Sequence, residues 1–195
     1  MVDSAINKSE KRARVSEVDS LRKWFDYNAR ARKSYIETLS KLSSEELTRD
    51  RGASYPSLLD IFKHSLDGLS SWIERMSVLH GTFISTYICP ESPSLSDLYH
   101  YNEEVGKEVH QFFSLLTEED LNGTYFVPKL PPWWDEDFVA PVRETLYHLI
   151  EHELQHRGEL NALLWQIDVE PPIHDWLFDS LSAQSQNDDN ALIGS

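Results

Sequence analysis

Helix-breaking residues gather at four short places in this chain and are sparse elsewhere, and that spacing restricts the fold more than any other feature. The gatherings are Gly52 to Pro56, Cys89 to Pro93, Pro128 to Pro132, and Pro171-Pro172. No Asn-Gly or Asp-Gly pair joins two alternating apolar runs, so the usual signal of a β-hairpin is missing. The stretches between breakers are long enough for extended helices. The first expected helix runs from about Ser16 to Leu42, with Leu21, Trp24, Tyr27, Ala31, Tyr35 and Leu42 roughly at helical spacing. The second runs from Ser57 to Met76, behind Pro56 and with Ser57 as its cap. The third begins near Ser94 or Ser96 and reaches Leu116. The fourth opens at Pro141, a residue suited to a first turn, and continues to Ile167. A short helix or turn around His174 to Leu181 follows. The expectation is an all-α four-helix bundle with long loops after its second and third helices. It forms a single domain over residues 16–181, between a flexible N-terminal tail (1–15) and a disordered C-terminal tail (182–195). Tyr125, Phe126, Trp133 and Trp134 fall in the last long loop and are expected to plug the end of the core.

Charge narrows the partners. The net charge of −15 reflects 33 acidic against 18 basic residues. Phosphate neutralisation supplies most of a nucleic-acid binder's affinity, so nucleic acid is excluded as a partner, and an anionic membrane with it. The small basic cluster at Lys8, Lys11, Arg12 and Arg14 reads as a solvated part of the N-terminal tail. Cys89 is the only cysteine, so no intramolecular disulfide can form, which fits a reducing compartment. The first fifteen residues are polar and lack the apolar run of a secretory signal. No stretch approaches the roughly 20 apolar residues that span a bilayer. A cytoplasmic protein acting on a small-molecule substrate is expected, with a homodimer as its assembly.

The chemistry concentrates in Glu144 to Leu164, where His148, His152 and His156 recur every four residues. Each step of four advances about 40° around a helix. Measured from the centre of the apolar stripe (Val142, Leu146, Leu149, Leu160, Leu163, Leu164), His156 lies about 20° away, His152 about 60° and His148 about 100°. His152 and His156 therefore face the core, with His148 at its edge. Two inward imidazoles at i and i+4 can share a metal ion, or can be a pair of hydrogen-bonded boundary histidines. Glu153 lies about 20° off the stripe's centre and needs a partner there: a ligand histidine, a metal-bound water, Arg157, or an ordinary salt bridge. The run His152-Glu153-Leu154-Gln155-His156 also matches the H-E-x-x-H of zinc proteases. The longer form of that motif wants a glycine where this chain has Glu159, and a third histidine nearer than His174. A protease is not expected. His64, in the second helix, sits more than about 100° from that helix's apolar stripe and reads on the wheel as a boundary residue.

Leu47 to Arg75 (LTRDRGASYPSLLDIFKHSLDGLSSWIER) and Thr145 to Pro172 (TLYHLIEHELQHRGELNALLWQIDVEPP) together resemble the DinB/YfiT-like superfamily. The family pattern is a histidine in helix two, an H-x3-H-x3-H-R-G run in helix four, and a short segment before paired prolines. This chain supplies His64, then His148, His152, His156, Arg157 and Gly158, then Pro171-Pro172. It departs at Asp168, where many relatives have glycine. The resemblance implies a four-helix bundle with a metal site made by His64, His152 and His156. His148, Glu153 and Arg157 are the residues expected around those ligands. One divalent ion (zinc, nickel or iron) is the expected cofactor, together with a low-molecular-weight thiol if the chain follows the family's thiol-dependent S-transferases. A non-catalytic metal or small-molecule binding bundle is the alternative, and metal-assisted hydrolysis stands third.

Overall fold

Ser16, Ser57 and Ser94 each start a helix by the same device. Each has extended backbone, and its hydroxyl accepts the amide hydrogen of the residue three positions on: Asp19, Asp60 and Asp97. At Ser57 and Ser94 the aspartate carboxylate returns the bond to the serine N–H, so two otherwise orphaned donors are satisfied at once. The structure, a computed structural model, describes residues 16–81 and 87–180; the expected tails lie outside the described residues. It contains α1 (Glu17–Leu39), a five-residue α2 (Ser44–Thr48), α3 (Leu58–Ser77), α4 (Leu95–Leu115) and α5 (Val142–Trp165). The four long helices fall within a few residues of the bounds read from the sequence. α2 was not anticipated; one turn of helix is too short for periodicity to register.

α3 packs against α4 and α5, and α1 packs against the same two. The bundle therefore sets α1 diagonally across from α3, and α4 across from α5. Leu58, Ile61, Leu66, Leu69, Ile73 and Met76 of α3 are fully buried, together with Leu98 of α4 and Leu146 of α5. Because α3 has two long neighbours and also touches α2, burial spreads around more than one face of it. This explains His64: a stripe with one centre describes α3 poorly, and the side chain placed at its margin is covered by α5 and by the loop ahead of α3.

The long connection between α4 and α5 departs from an all-helical reading. Thr124–Val127 (β1) pairs antiparallel with Phe138–Pro141 (β2), in the register Tyr125↔Ala140 and Val127↔Phe138. Tyr125 and Val127 are buried while Phe126 between them is exposed, which is the period-two pattern of a strand. Ten residues separate the strands, so no tight-turn signature marked them. Of the four loop aromatics, Tyr125 is buried and donates to Thr145 Oγ1 at 3.0 Å, and Trp134 stacks on Trp72 with ring centroids 5.8 Å apart. Phe126 and Trp133 are solvent-facing at 59% and 67% exposure, so only half of the expected plug forms.

Past α5, Asp168 adopts φ 57°, in the left-handed region, and the Val169 amide returns to Leu164 O at 3.0 Å. Residues 176–180 form a last helical turn, whose Trp176 stacks on Trp24 of α1 at 3.8 Å. Among the described residues no helix is long and apolar enough to cross a membrane.

Candidate metal centre

His64 on α3 and His152 and His156 on α5 meet where those two helices pack together. His152 Nε2 lies 3.2 Å from His64 Nε2 and 3.3 Å from His156 Nε2. One ring nitrogen from each histidine falls within 4.8 Å of the other two. His156 is buried at 9% exposure, and the other two are half-buried. Each ring nitrogen removed from water needs a partner, either another imidazole or an ion. Nitrogens bound to one ion at about 2.0–2.1 Å in tetrahedral geometry stand about 3.3 Å apart. The two spacings from His152 match that figure and the third pair lies within 4.8 Å, so the residues present fit a divalent metal.

Each histidine is held by its surroundings. Gly68, one turn after His64 on α3, makes room for His152: a Cβ at that position would sit 2.8 Å from His152 Cε1 and 3.3 Å from Nδ1. His156 Nδ1 faces Glu159 Oε2 at 3.3 Å, one turn further along α5. A carboxylate at Nδ1 favours the tautomer that leaves Nε2 free as a donor to an ion. Glu159 also accepts from the Ser54 amide at 2.7 Å and the Ser54 hydroxyl at 2.6 Å, tying the loop before α3 to α5. Tyr55 in that loop lies flat against His64, with ring centroids 4.0 Å apart and planes 23° from parallel. Its hydroxyl is 3.1 Å from His64 Nε2. In the sequence alone Glu159 stands out only as the residue that spoils a protease motif. Tyr55, inside a cluster of breakers, has no periodicity to announce it.

Of the other anticipated residues, Glu153 and Arg157 turn towards α1. Glu153 does not accompany the histidines: it turns into the bundle interior, where Oε2 accepts from Arg32 Nη1 of α1 at 2.5 Å. Both side chains are at most 7% exposed, and Arg32 Nε also donates to Asn102 of α4. The partner of Glu153 is thus Arg32, and neither a ligand histidine nor Arg157. The sequence could not indicate this pairing, because Arg32 is 121 positions away. The placement removes Glu153 as the general base of an H-E-x-x-H protease. Arg157 likewise turns to α1, with its guanidinium 4.9 Å above the Tyr27 ring and Nη2 3.2 Å from the Tyr27 hydroxyl. His148 keeps the edge position expected of it, with a half-exposed side chain, its ring 5.8 Å from His152 and 6.3 Å from Trp72.

Burial, followed by neighbouring His156, His64 and His148, pushes the His152 imidazole down to about 4. Burial and His156 lower His64 as well. Both rings are therefore neutral at physiological pH, the form that binds a metal. Glu159 stays below the ordinary carboxylate range: the upward push of burial is outweighed by the Ser54 hydroxyl and amide and then by His156. Burial, with Asp67 and Glu159, raises Tyr55, which keeps it a protonated phenol.

Fold and cluster together define a four-helix bundle with a histidine site between two of its helices. The sequence profile of the DinB family matches residues 15–189, and the chain belongs to that family. The chain is 21% identical to the protein YizA of Bacillus subtilis (strain 168) over 149 residues, 76% of this chain and 89% of that one. Its fold is similar to that of the DinB-like protein YjoA from Bacillus subtilis, with a TM-score of 0.53 and 18% identity, covering 78% of this chain and 97% of that one. A DinB-like protein from Bacillus cereus ATCC 10987 superposes with a TM-score of 0.57 and 16% identity over 80% of this chain and 95% of that one.

Proposed function

We propose that the protein is a metal-dependent enzyme that binds one divalent ion through His64, His152 and His156 and transfers a small thiol to an electrophile. The convergence of the three Nε2 atoms carries this reading. Three protein ligands leave a coordination position for substrate, as in catalytic sites, where a structural site would be closed by a fourth. A divalent ion there would hold a thiol as its thiolate at neutral pH and so supply the nucleophile. The chain's own part is to keep His64 and His152 neutral by burial, to orient His156 through Glu159, and to position His152 in the space left by Gly68. Imidazole donors suit zinc, nickel or iron. Engagement of Glu153 with Arg32 takes the carboxylate of the H-E-x-x-H run away from the imidazoles, which counts against protease-type hydrolysis.

Metal analysis of untagged protein tests the site. About one ion per chain is expected, with binding abolished by His152→Ala or His156→Ala and only weakened by His148→Ala; a stoichiometry near zero after reconstitution overturns the reading. Holo protein should conjugate a haloaromatic with a small thiol faster than apo protein does. Thiol binding without turnover across a broad panel would instead mark a binding protein.

A further inference from the structure

Tyr55 lies at the cluster without acting as a conventional partner to it. Its ring is stacked on His64, so its hydroxyl approaches Nε2 from the face of the imidazole. The lone pair of Nε2 lies in the plane of the ring, whereas the phenol lies over its face; His152 Nε2 is 3.2 Å from the same nitrogen. The 3.1 Å contact is therefore a poor hydrogen bond, and it is the only one the phenol makes among the described residues. Its ring edge also meets His156, with centroids 6.0 Å apart.

Nor is the residue carried by a loose segment. The Arg51 amide donates to Pro56 O at 2.8 Å, closing the loop, and Arg51 Nη2 binds Glu46 Oε2 at 2.7 Å. Ser54, the preceding residue, is fixed to Glu159 by two bonds. The same Glu159 oxygen that receives the Ser54 hydroxyl faces His156. One carboxylate thus sets both a histidine of the cluster and the loop that brings the phenol over it.

We propose that Tyr55 contacts the substrate, its hydroxyl donating a hydrogen bond to the anionic atom seated beside the three imidazoles. This rests on the reading of the cluster as an ion site. A rigidly placed donor with no well-aligned acceptor among the described residues gains one when an anionic atom arrives next to His64, and it then distinguishes an anion from a neutral occupant. Stacking on His64 leaves the aromatic ring with a separate role, roofing the cluster, that phenylalanine would retain.

The test uses cobalt-loaded protein and 2-mercaptoethanol, titrated by the sulfur-to-cobalt charge-transfer band. Tyr55→Phe should bind cobalt within about threefold of wild type but the thiol about tenfold more weakly, the equivalent of roughly 1.4 kcal/mol for a lost hydrogen bond to a charged acceptor. Equal thiol affinity in the two proteins overturns the proposal. So does loss of cobalt from Tyr55→Phe, which would make the phenol a ligand of the ion. Failure of wild type to bind cobalt removes the ion site itself, and this inference with it; the other two outcomes leave that site standing.

Discussion

At the scale of single residues, the site depends on a hydrogen atom as much as on its imidazoles. Gly68→Ala puts a methyl carbon where the His152 ring now lies. Alanine in mid-helix is favoured over glycine by about 1 kcal/mol, so lost helicity would not account for a damaged site. Metal affinity should fall at least about tenfold, the usual effect of disturbing a ligand's support, while helical circular dichroism is retained. Isothermal titration of the variant with zinc checks this; unchanged affinity would show that the ring shifts without consequence. His152 also makes a pH prediction. Unfolded, it titrates near 6.5; folded, near 4. Between those values only the unfolded chain takes up the proton, so this contribution to stability is whole above 6.5 and drains away as pH falls toward 4. Metal-free wild type should lose melting temperature across that window faster than His152→Phe, and parallel curves would contradict the assignment. The inward pair His152 and His156 was legible from helical arithmetic alone. Gly68, Glu159 and Tyr55 were not, because each matters through contact with a different element, and contacts of that kind leave no period in a sequence.

Among the elements, helix starts were the most readable because their chemistry is local. Ser57 followed by Asp60 needs nothing from the rest of the chain to make its reciprocal cap. Ser57→Ala should cost about 1 kcal/mol in denaturant unfolding, and a change too small to measure would mean that α3 is held only by its packing. The ribbon β1–β2 was hidden for the opposite reason. Its strands are four residues each, and their pairing spans ten residues that bear no turn signature. The end of α5 offers a substitution expected to stabilise. Asp168 occupies backbone space that glycine enters freely, so Asp168→Gly should raise the unfolding midpoint, by at most about 1 kcal/mol once the greater freedom of glycine in the unfolded chain is set against it. A fall in midpoint would mean that the aspartate side chain contributes more than its backbone costs.

For the whole molecule, the apolar packing among four long helices should hold the fold without an ion. Chelation should leave helical circular dichroism intact at 25 °C and lower the melting temperature only by the amount that ligand linkage gives. Collapse on adding chelator would instead make the metal structural. Arg32, Asn102 and Glu153 join α1, α4 and α5 through the interior. Arg32→Met alone should cost about 3–5 kcal/mol by stranding Glu153, whereas replacing both charges with Met should leave stability equal or higher. That asymmetry bears on how the histidines find one another. A turn of α5 by one residue, about 100°, would carry Glu153 away from Arg32 and leave two charges facing hydrocarbon. A miswound docking of that kind is heavily penalised, although the correct one gains little. If the pair selects helix rotation in this way, the double Met protein should be stable yet give a heterogeneous amide spectrum, with α5 sampling angles at which His152 and His156 no longer point at His64; a single set of sharp amide signals would overturn that role.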